Sequence, residues 1–191
     1  LVKQGVLVTR LNAPEDAASM DILCVDKTGT LTINKLSVAS VLPSDGYTEN
    51  EVLFQAALAS NEANNDSIDM ALISSAKQRN ILNNTFIQKS FIPFDPKNRK
   101  TEAVIEKENE EFIVMKGAFN IIAKACDLDD VKTLYWETQI NNFAKSGYRT
   151  LAIAEIKGNN KPGFTGIVAL HDPPRPDSLK IINEIKNLGV A

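Results

Sequence analysis

The chain has 191 residues, of which 43% are hydrophobic, so it can bury one sizeable core or two modest ones and is not a disordered polymer. A formal net charge of -3 with scattered lysines excludes a strongly basic surface for nucleic acid or anionic membranes. The two cysteines, Cys24 and Cys126, are too few for a disulfide framework or a zinc site, and their apolar neighbours predict buried thiols in a reducing compartment.

The first predicted element is a short strand over residues 21–25, DILCV, which leads directly into Asp26. A short continuous apolar run of this kind is typical of a strand buried on both faces in a parallel sheet. Asp26 would then lie at the carboxyl end of a parallel strand, which is where open α/β sheets bind their ligands.

The middle of the chain predicts a different kind of unit. Thr48 and Glu51 have the spacing of a capping box before one helix, and a second helix is predicted over residues 67–79. Further on, strands are predicted over 85–94, 101–107, 111–116, 150–157 and 164–170, and helices over 118–126 and 129–145. Short strands that follow one another favour an antiparallel sheet flanked by helices, which is an α+β arrangement.

The last predicted element is a helix that Asp177 or Ser178 can cap. Its apolar residues recur at helical spacing at Leu179, Ile182, Ile185 and Leu188. Such a helix is a natural partner layer for the parallel sheet, so we expect the two ends of the chain to form one α/β unit. The predicted domains are therefore 1–36 with 173–191, and an inserted domain at 37–172.

The loop after the first strand contains groups that suit phosphate chemistry. A carboxylate such as Asp26 can attack phosphorus and form an acyl phosphate, or it can hold Mg²⁺. Lys27, the threonines and the amides around Gly29 offer positive charge and hydrogen-bond donors to a transferring phosphoryl group. The simpler interpretation is that Asp26 only caps a turn after a strand.

The seven residues DKTGTLT, Asp26 to Thr32, resemble the phosphorylation motif of the P-type ATPases, which are ion pumps. The resemblance implies that ATP phosphorylates Asp26, that Lys27 and Thr28 belong to the catalytic site, and that Asp26 and Thr28 help to bind Mg²⁺. It also implies the fold: a partial phosphorylation domain of the haloacid-dehalogenase-like Rossmannoid type, α/β, with an inserted α+β nucleotide-binding domain.

The predicted insertion resembles the nucleotide-binding domain of these pumps in several segments. FDPKNRKTEAV, residues 94–104, is similar to the segment whose phenylalanine stacks on adenine, which implies this role for Phe94. A basic residue follows in that segment, and either Arg99 or Lys100 can fill its place. NNDSIDMAL resembles the helix start whose carboxylate approaches the adenine amino group, which implies Asp69.

Three further segments continue the resemblance. KGA is the signature of the nucleotide-binding domain and implies Lys116 at the base of the adenine pocket, with Gly117 beside it. SGYRTLAIA implies that Arg149 contacts the nucleotide phosphates. HDPPRPDS is similar to the hinge that returns the chain to the phosphorylation domain, with Asp172 and Arg175 as its matching polar residues.

Each of these residues also has a plainer interpretation. Phe94 could belong to the core of an alternating strand, and Lys116 could be a solvated strand end. Asp69 could only favour a helix N-terminus, where a negative charge contributes roughly 0.3 to 1 kcal/mol. Arg149 could be an ordinary surface arginine, and the single histidine, His171, is interpreted as a hydrogen-bonded structural residue.

The residue two positions after Asp26 separates two enzyme classes of this fold. Phosphatases usually carry a second aspartate there as general acid and base, whereas this chain has Thr28. Threonine cannot act as an ionised base near neutral pH, so an acyl phosphate should persist, as a pump requires. The alternatives are a soluble phosphatase of the haloacid-dehalogenase type and a nucleotide-binding module without turnover.

The resemblance predicts a piece of a larger membrane protein. The TGD triplet, the lysine and the GDGxND stretch of these pumps are absent from the 191 residues, and we expect them to follow residue 191. No apolar run approaches the roughly 18 to 20 residues of a membrane span, so the fragment itself is expected to be soluble. Its expected place is the cytoplasmic face of the cell membrane, with ATP and Mg²⁺ as cofactors.

The remaining predictions concern partners and ion. In the intact protein the expected partners are the transmembrane helices and the actuator domain, and no nucleic acid is expected. FDP, NDSID and DKTGTLTINKLS resemble the plasma-membrane proton pumps more than other subgroups. The predicted function is therefore the cytosolic catalytic fragment of an ATP-driven cation pump, in which the cation is a proton.

Overall fold

The structure is a computed structural model that describes residues 3, 5, 7–10, 12–82, 85–158 and 160–191. The chain separates into two compact units. We call Lys35–Asp172 the sheet unit, and we call the described residues of Leu1–Asn34 together with Pro173–Ala191 the flanking unit. Within the described ranges, no helix is both long enough and apolar enough to cross a membrane.

The sheet unit is built on a six-stranded antiparallel sheet. The strands are β1 Ser37–Pro43, β2 Ile87–Ile92, β3 Lys100–Lys107, β4 Glu110–Gly117, β5 Arg149–Lys157 and β6 Gly163–His171. Their order across the sheet is β1-β6-β5-β4-β3-β2. The predicted antiparallel sheet is therefore confirmed, and strands β2 to β6 lie where the sequence patterns place them.

Strand β1 is absent from the sequence-based prediction. It pairs with β6 from Ser37 opposite His171 to Pro43 opposite Gly166. Only Val41 is fully buried, which is the pattern of an edge strand, and a proline is tolerated at such an edge because no ladder bond is lost. The chain thus enters the sheet unit on β1 and leaves it on the neighbouring β6.

Helices cover both faces of the sheet. In the described part of the sheet unit they are α2 Glu49–Leu58, α3 Ser67–Gln78, α4 Phe119–Ala125 and α5 Asp130–Lys145. On β5, Ile153 packs in the cluster formed with α2 and α3, whereas Ala152 and Ala154 pack in the cluster formed with α4 and α5. Because successive strand residues point to opposite faces, one pair of helices lies on each side.

Local hydrogen bonds fix the starts of α2 and α3. The backbone N–H of Thr48 donates to Glu51 Oε2 at 2.8 Å and the N–H of Glu51 donates to Thr48 Oγ1 at 3.3 Å, so the predicted capping box is present. Asp66 caps α3 by accepting from the N–H groups of Ile68 and Asp69 at 2.9 and 3.1 Å. Asp69 consequently lies in the first turn of α3.

The flanking unit contains helix α1, Ala13–Ala18, a π-helical turn over Lys27–Leu31, and helix α6, Ser178–Asn187. The predicted terminal helix is confirmed, with Asp177 at its N-cap position. Leu179 and Leu188 of its apolar spacing are 72% and 82% exposed, so these two side chains do not pack on a sheet as predicted.

The predicted strand over residues 21–25 is wrong in this structure. This stretch has no strand. Leu23 N–H donates to the Ala191 carbonyl at 3.0 Å, and the Asp21 carbonyl accepts from Ala191 N–H at 2.9 Å. A parallel strand needs neighbouring strands to complete its hydrogen bonds, and the described residues of the flanking unit supply none. Cys24 is therefore exposed and not buried as predicted. Cys126 is half-buried, and burial raises the pKa of its thiol to about 11.

Candidate functional site

A cavity of about 610 Å³ lies in the sheet unit, where the first turn of α3 approaches the ends of β3, β4 and β5. Among the residues that line it are six that the sequence predicts as nucleotide-binding: Asp69, Phe94, Arg99, Lys116, Gly117 and Arg149. The cavity combines an exposed aromatic ring, a buried ion pair and two arginines within one unit.

The buried ion pair joins Lys116 and Asp69, which are 3% and 4% exposed. Lys116 Nζ lies 2.8 Å from Asp69 Oδ1 and also donates a hydrogen bond to the carbonyl oxygen of Ala59. Asp69 Oδ2 accepts from the backbone N–H of Asn61 at 3.0 Å. Burial lowers the pKa of Lys116, and the charge of Asp69 opposes this effect. Each buried charge is thus paired and hydrogen-bonded, as burial requires.

The two charges also lie at helix ends of the favourable sign. Ala59 is the C-cap residue of α2, so Lys116 donates to the negative end of that helix. Asp69 lies in the first turn of α3, near the positive end of that helix. The ends of the two helices therefore support the ion pair that forms the floor of the cavity.

Gly117 is required by a close approach of two backbone segments. A Cβ atom at this position would lie 2.5 Å from the carbonyl oxygen of Arg99 and 2.8 Å from Lys100 Cα. That same carbonyl accepts a hydrogen bond from Ala118 N–H at 3.0 Å. Any larger residue would push the end of β4 away from the loop that carries Arg99.

Phe94 presents an exposed ring from an ordered loop. Its side chain is 57% exposed although it lines the cavity. The loop is held by Asp95, whose Oδ1 accepts from Lys97 N–H at 2.9 Å and whose carbonyl accepts from Arg99 N–H at 2.7 Å. An exposed aromatic ring on a fixed loop offers an unobstructed face for stacking.

The structure distinguishes the two basic residues that follow Phe94. Arg99, with a positive φ of 51°, lines the cavity. Lys100 does not, and its Nζ pairs with Glu102 at 2.7 Å. Arg149 is exposed at the first position of β5 and completes the cavity rim.

Asp172 and Arg175, predicted to be near the cofactor, are not among the residues that line the cavity. Asp172 Oδ1 accepts from the backbone N–H of Lys35 at 3.1 Å, which ties together the two points where the chain enters and leaves the sheet unit. The backbone N–H of Arg175 donates to the Leu31 carbonyl at 2.9 Å, within the flanking unit. His171 contacts Tyr148 edge to face, with ring centroids 5.1 Å apart.

Asp26 lies in the flanking unit, is exposed, and precedes the π-helical turn that begins at Lys27. Within this turn the N–H of Gly29, at a φ of +79°, donates to Thr32 Oγ1 at 3.1 Å. The side chain of Thr28 lies outside the described part of the structure. No cluster of three or more His, Cys, Asp or Glu side chains that could hold a metal occurs among the described residues. Mg²⁺ is a hard cation that takes oxygen ligands, and the carboxylate of Asp26 is a group of that kind.

Thr101 is a cavity residue that the sequence analysis missed. Its Oγ1 donates to the Ala59 carbonyl at 3.0 Å, the same acceptor that Lys116 uses, and it is buried. On β3 it is in phase with Ala103 and Ile105, which face the core. A polar residue at a core-facing position of an alternating strand is the signal that identifies it.

The comparisons with known proteins first define the fold. A crystal structure of a zinc-transporting PIB-type ATPase in the E2.Pi state aligns with a TM-score of 0.64 and 23% identity, covering 99% of this chain and 28% of that one. The model of the P-type ATPase cytoplasmic domain N matches residues 33–177. The chain therefore belongs to the P-type cation ATPase family, and its residues 33–177 correspond to the cytoplasmic domain N of that family.

Curated relatives agree with this membership. A protein of Methanocaldococcus jannaschii named as a cation-transporting ATPase is 41% identical over 192 residues, which cover 100% of this chain and 24% of that protein. Plasma membrane ATPase 2 of Saccharomyces cerevisiae is 35% identical over 202 residues, covering 100% and 21%. The chain thus spans less than a quarter of the length of these two relatives.

Proposed function

We propose that this chain is the ATP-binding and phosphoryl-accepting part of an ATP-driven cation pump. The observation that carries the proposal is the cavity of the sheet unit, which combines the exposed ring of Phe94 with the buried pair of Lys116 and Asp69. The cavity thus has groups that suit both ends of an adenine nucleotide, the base and the phosphates. The ring gives the base a stacking surface, and the cavity arginines offer charge to phosphates.

The parts of the cavity act on different parts of the nucleotide. Adenine stacks on Phe94 above the floor formed by Lys116 and Asp69. Gly117 allows the loop that carries Arg99 to pack closely against the end of β4, which keeps Arg99 at the cavity. Arg149, and with it Arg99, provides charge for the phosphates, whose recognition favours guanidinium groups. This open site without a glycine-rich phosphate loop should bind ATP with modest affinity.

The chemical step takes place at Asp26. One carboxylate oxygen attacks the γ-phosphorus of ATP, the bond from that phosphorus to the β–γ bridging oxygen breaks, and ADP leaves with the electron pair. The product is an aspartyl phosphate, a mixed anhydride. Lys27 and the backbone amides of the following turn offset the negative charge at the phosphoryl oxygens. Bound Mg²⁺ would neutralise charge on the same oxygens.

Thr28 determines how long this intermediate lasts. Its hydroxyl cannot act as the ionised base that a phosphatase needs at this position, so the aspartyl phosphate outlives the transfer step. A persistent intermediate suits a pump, which uses it to drive ion movement. In this proposal residues 37–172 form the nucleotide-binding domain, and 1–36 with 173–191 form part of the phosphorylation domain.

The relatives support the finer assignment of ion and location. Several are named plasma membrane ATPases, and the sequence resembles the proton-pump subgroup. We propose a proton as the transported ion and the cytoplasmic face of the cell membrane as the location. The intact protein would add the membrane helices and an actuator domain.

Phosphate labelling of the intact pump tests the proposal. After incubation with ATP labelled in the γ-phosphate, we expect an acid-stable, hydroxylamine-sensitive label at Asp26, identified by mass spectrometry. The variant Asp26→Asn should carry no label. Label at a different residue, or its absence from a preparation that hydrolyses ATP, would overturn the proposed chemistry. ATP binding without label or turnover would instead favour a nucleotide-binding module.

A further inference from the structure

We infer that Gln88, on strand β2, is a positioning residue that fixes the floor of the cavity through the C-terminal end of helix α2. Gln88 is not among the residues that line the cavity. It acts on Lys116 and Asp69 through the end of α2 and through Asn61. The inference rests on the proposed role of the cavity as the nucleotide site.

The end of α2 presents carbonyl groups that its own helix cannot satisfy. Gln88 Nε2 donates to the carbonyls of Leu58 and Ser60, both at 3.0 Å. Between them, the Ala59 carbonyl accepts from Thr101 and Lys116. Three consecutive carbonyls are therefore held by side chains from strands β2, β3 and β4.

The opposite end of the Gln88 amide reaches the second half of the floor. Gln88 Oε1 accepts from Asn61 Nδ2 at 2.8 Å. The backbone N–H of Asn61 donates to Asp69 Oδ2, and Asp69 Oδ1 in turn pairs with Lys116. One side chain thus contacts both segments that hold the ion pair, the end of α2 and the residue that orients Asp69.

The local backbone of β2 is irregular at this position. The register with β3 shifts between Gln88 and Ser90, so Lys89 is the extra residue of a β-bulge. Bulges re-aim side chains and are common beside functional sites. Lys89 itself pairs with Glu106 at 2.7 Å, which gives a matched control next to Gln88 in the chain.

Three variants of the chain separate positioning from packing. Gln88→Met keeps the length of the side chain but loses all three hydrogen bonds, so we expect ATP to bind about tenfold more weakly by calorimetry. Gln88→Glu keeps the acceptor for Asn61 but turns an oxygen toward the carbonyls of Leu58 and Ser60, so binding should weaken further. Lys89→Met should bind ATP within about twofold of the unaltered chain.

A second measurement uses no nucleotide. The backbone amide of Asn61 should exchange with deuterium faster in Gln88→Met than in Lys89→Met, because Asn61 loses the bond from its side chain to Gln88 and is held less firmly against Asp69. If Gln88 contributed only to the stability of the fold, Gln88→Glu should bind ATP more tightly than Gln88→Met, since glutamate is the polar isostere at this half-buried position. Urea unfolding shows that each compared variant is folded.

The outcomes are distinct. If Gln88→Met binds ATP as the unaltered chain does, or Gln88→Glu binds as well as Gln88→Met, the positioning role is wrong. Should Gln88→Glu fail to fold, Gln88→Met and Lys89→Met decide by affinity and exchange. If the unaltered chain binds no ATP, the proposed function fails, and the exchange of the Asn61 amide alone decides whether Gln88 holds the floor.

Discussion

The sheet unit and the flanking unit differ in what holds them together. The sheet unit buries large side chains such as Leu53, Leu72 and Ile105 completely between its sheet and helices. In the flanking unit the described buried residues are the polar Thr32 and Ser178, and Ser178 Oγ donates to the Leu31 carbonyl at 2.7 Å. The proposed nucleotide cavity therefore belongs to the unit with its own apolar core, whereas the proposed nucleophile, Asp26, belongs to a unit whose described buried residues are polar.

Because the two groups of residues lie in different units, nucleotide binding and phosphoryl transfer should be separable by mutation. The largest expected effect is that of Asp26→Asn on turnover in the intact pump. A carboxamide is not a nucleophile toward phosphorus, so phosphorylation and ATP hydrolysis should fall by at least about a thousandfold.

The same variant should leave nucleotide binding alone. Because Asp26→Asn leaves Phe94 and the pair of Lys116 and Asp69 unchanged, we expect the ATP affinity of this variant to fall by no more than about twofold. Steady-state hydrolysis and equilibrium binding measure the two effects. Substantial turnover by the variant, or joint loss of binding and turnover, would contradict the separation.

The next effect is on the stability of the sheet unit. Lys116→Met leaves the carboxylate of Asp69 buried without its ion partner, so the free energy of unfolding should fall by about 3 to 5 kcal/mol. The control is Lys180→Met, which breaks the exposed pair with Glu184 in the flanking unit. That change should cost less than about 1 kcal/mol. Urea unfolding measures both.

A double variant distinguishes the stability of the pair from its function. Lys116→Met combined with Asp69→Leu leaves no unpaired buried charge, so most of the lost stability should return. ATP binding should not return, since neither polar group is present. Equal instability of the single and double variants would show that the cost does not come from the unpaired carboxylate.

A smaller effect is expected from Phe94→Ala. Losing the stacking surface should weaken ATP binding by roughly 1 to 3 kcal/mol, about tenfold to a hundredfold. Because the ring is largely exposed, the free energy of unfolding should change by less than about 0.5 kcal/mol. The control is Phe86→Ala, which removes edge-to-face contacts with Phe54 and Phe112 and should instead destabilise the unit by about 3 kcal/mol. If the two variants affected binding equally, Phe94 would not be the stacking residue.

The smallest effect concerns pH. Tyr47 donates a hydrogen bond to Glu155 Oε1 at 2.8 Å, and burial together with this bond raises the pKa of Tyr47 to about 12. Between pH 10 and 12 the folded state keeps a proton that the unfolded state releases, so stability falls as pH rises. The contribution is complete below pH 10 and lost above 12.

Tyr47→Phe should remove this part of the alkaline loss of stability. The full shift corresponds to about 3 kcal/mol, which solvent screening of the partly exposed ring reduces to about 1 kcal/mol. The difference between the two proteins isolates Tyr47 from other groups, including Lys116, whose lowered pKa acts in the opposite direction. Urea unfolding at several alkaline pH values provides the data. Parallel pH curves for the two proteins would count against the bond to Glu155.

The sequence predicts those parts of the fold that local signals determine. The capping box of Thr48 and Glu51 and the alternation of β3 depend on residues that are close in sequence, and both are present. The hairpin turn between β3 and β4 uses Glu108 and Asn109, both with positive φ, as a two-residue turn of type I′ requires. The stretch at 21–25 was mistaken for a buried strand because its burial depends on residues distant in sequence.

Prediction of the site from the sequence has a similar limit. The order of motifs along the chain predicts Phe94, Lys116 and Arg149, and the structure brings them to one cavity. The sequence alone does not distinguish Arg99 from Lys100. In the structure Arg99 lines the cavity, whereas Lys100 pairs with Glu102. Gln88 carries no signal in the sequence, because its partners include backbone carbonyls 28 and 30 residues earlier in the chain.

An NMR titration of the isotope-labelled chain with ATP tests the central claim most directly. The account predicts saturable shifts of backbone amides at Phe94, Gly117, Asp69 and Arg149, with no comparable change around Tyr47. Absence of shifts at the cavity residues at millimolar ATP, or shifts confined to another part of the chain, would contradict the claim that this cavity is the nucleotide site.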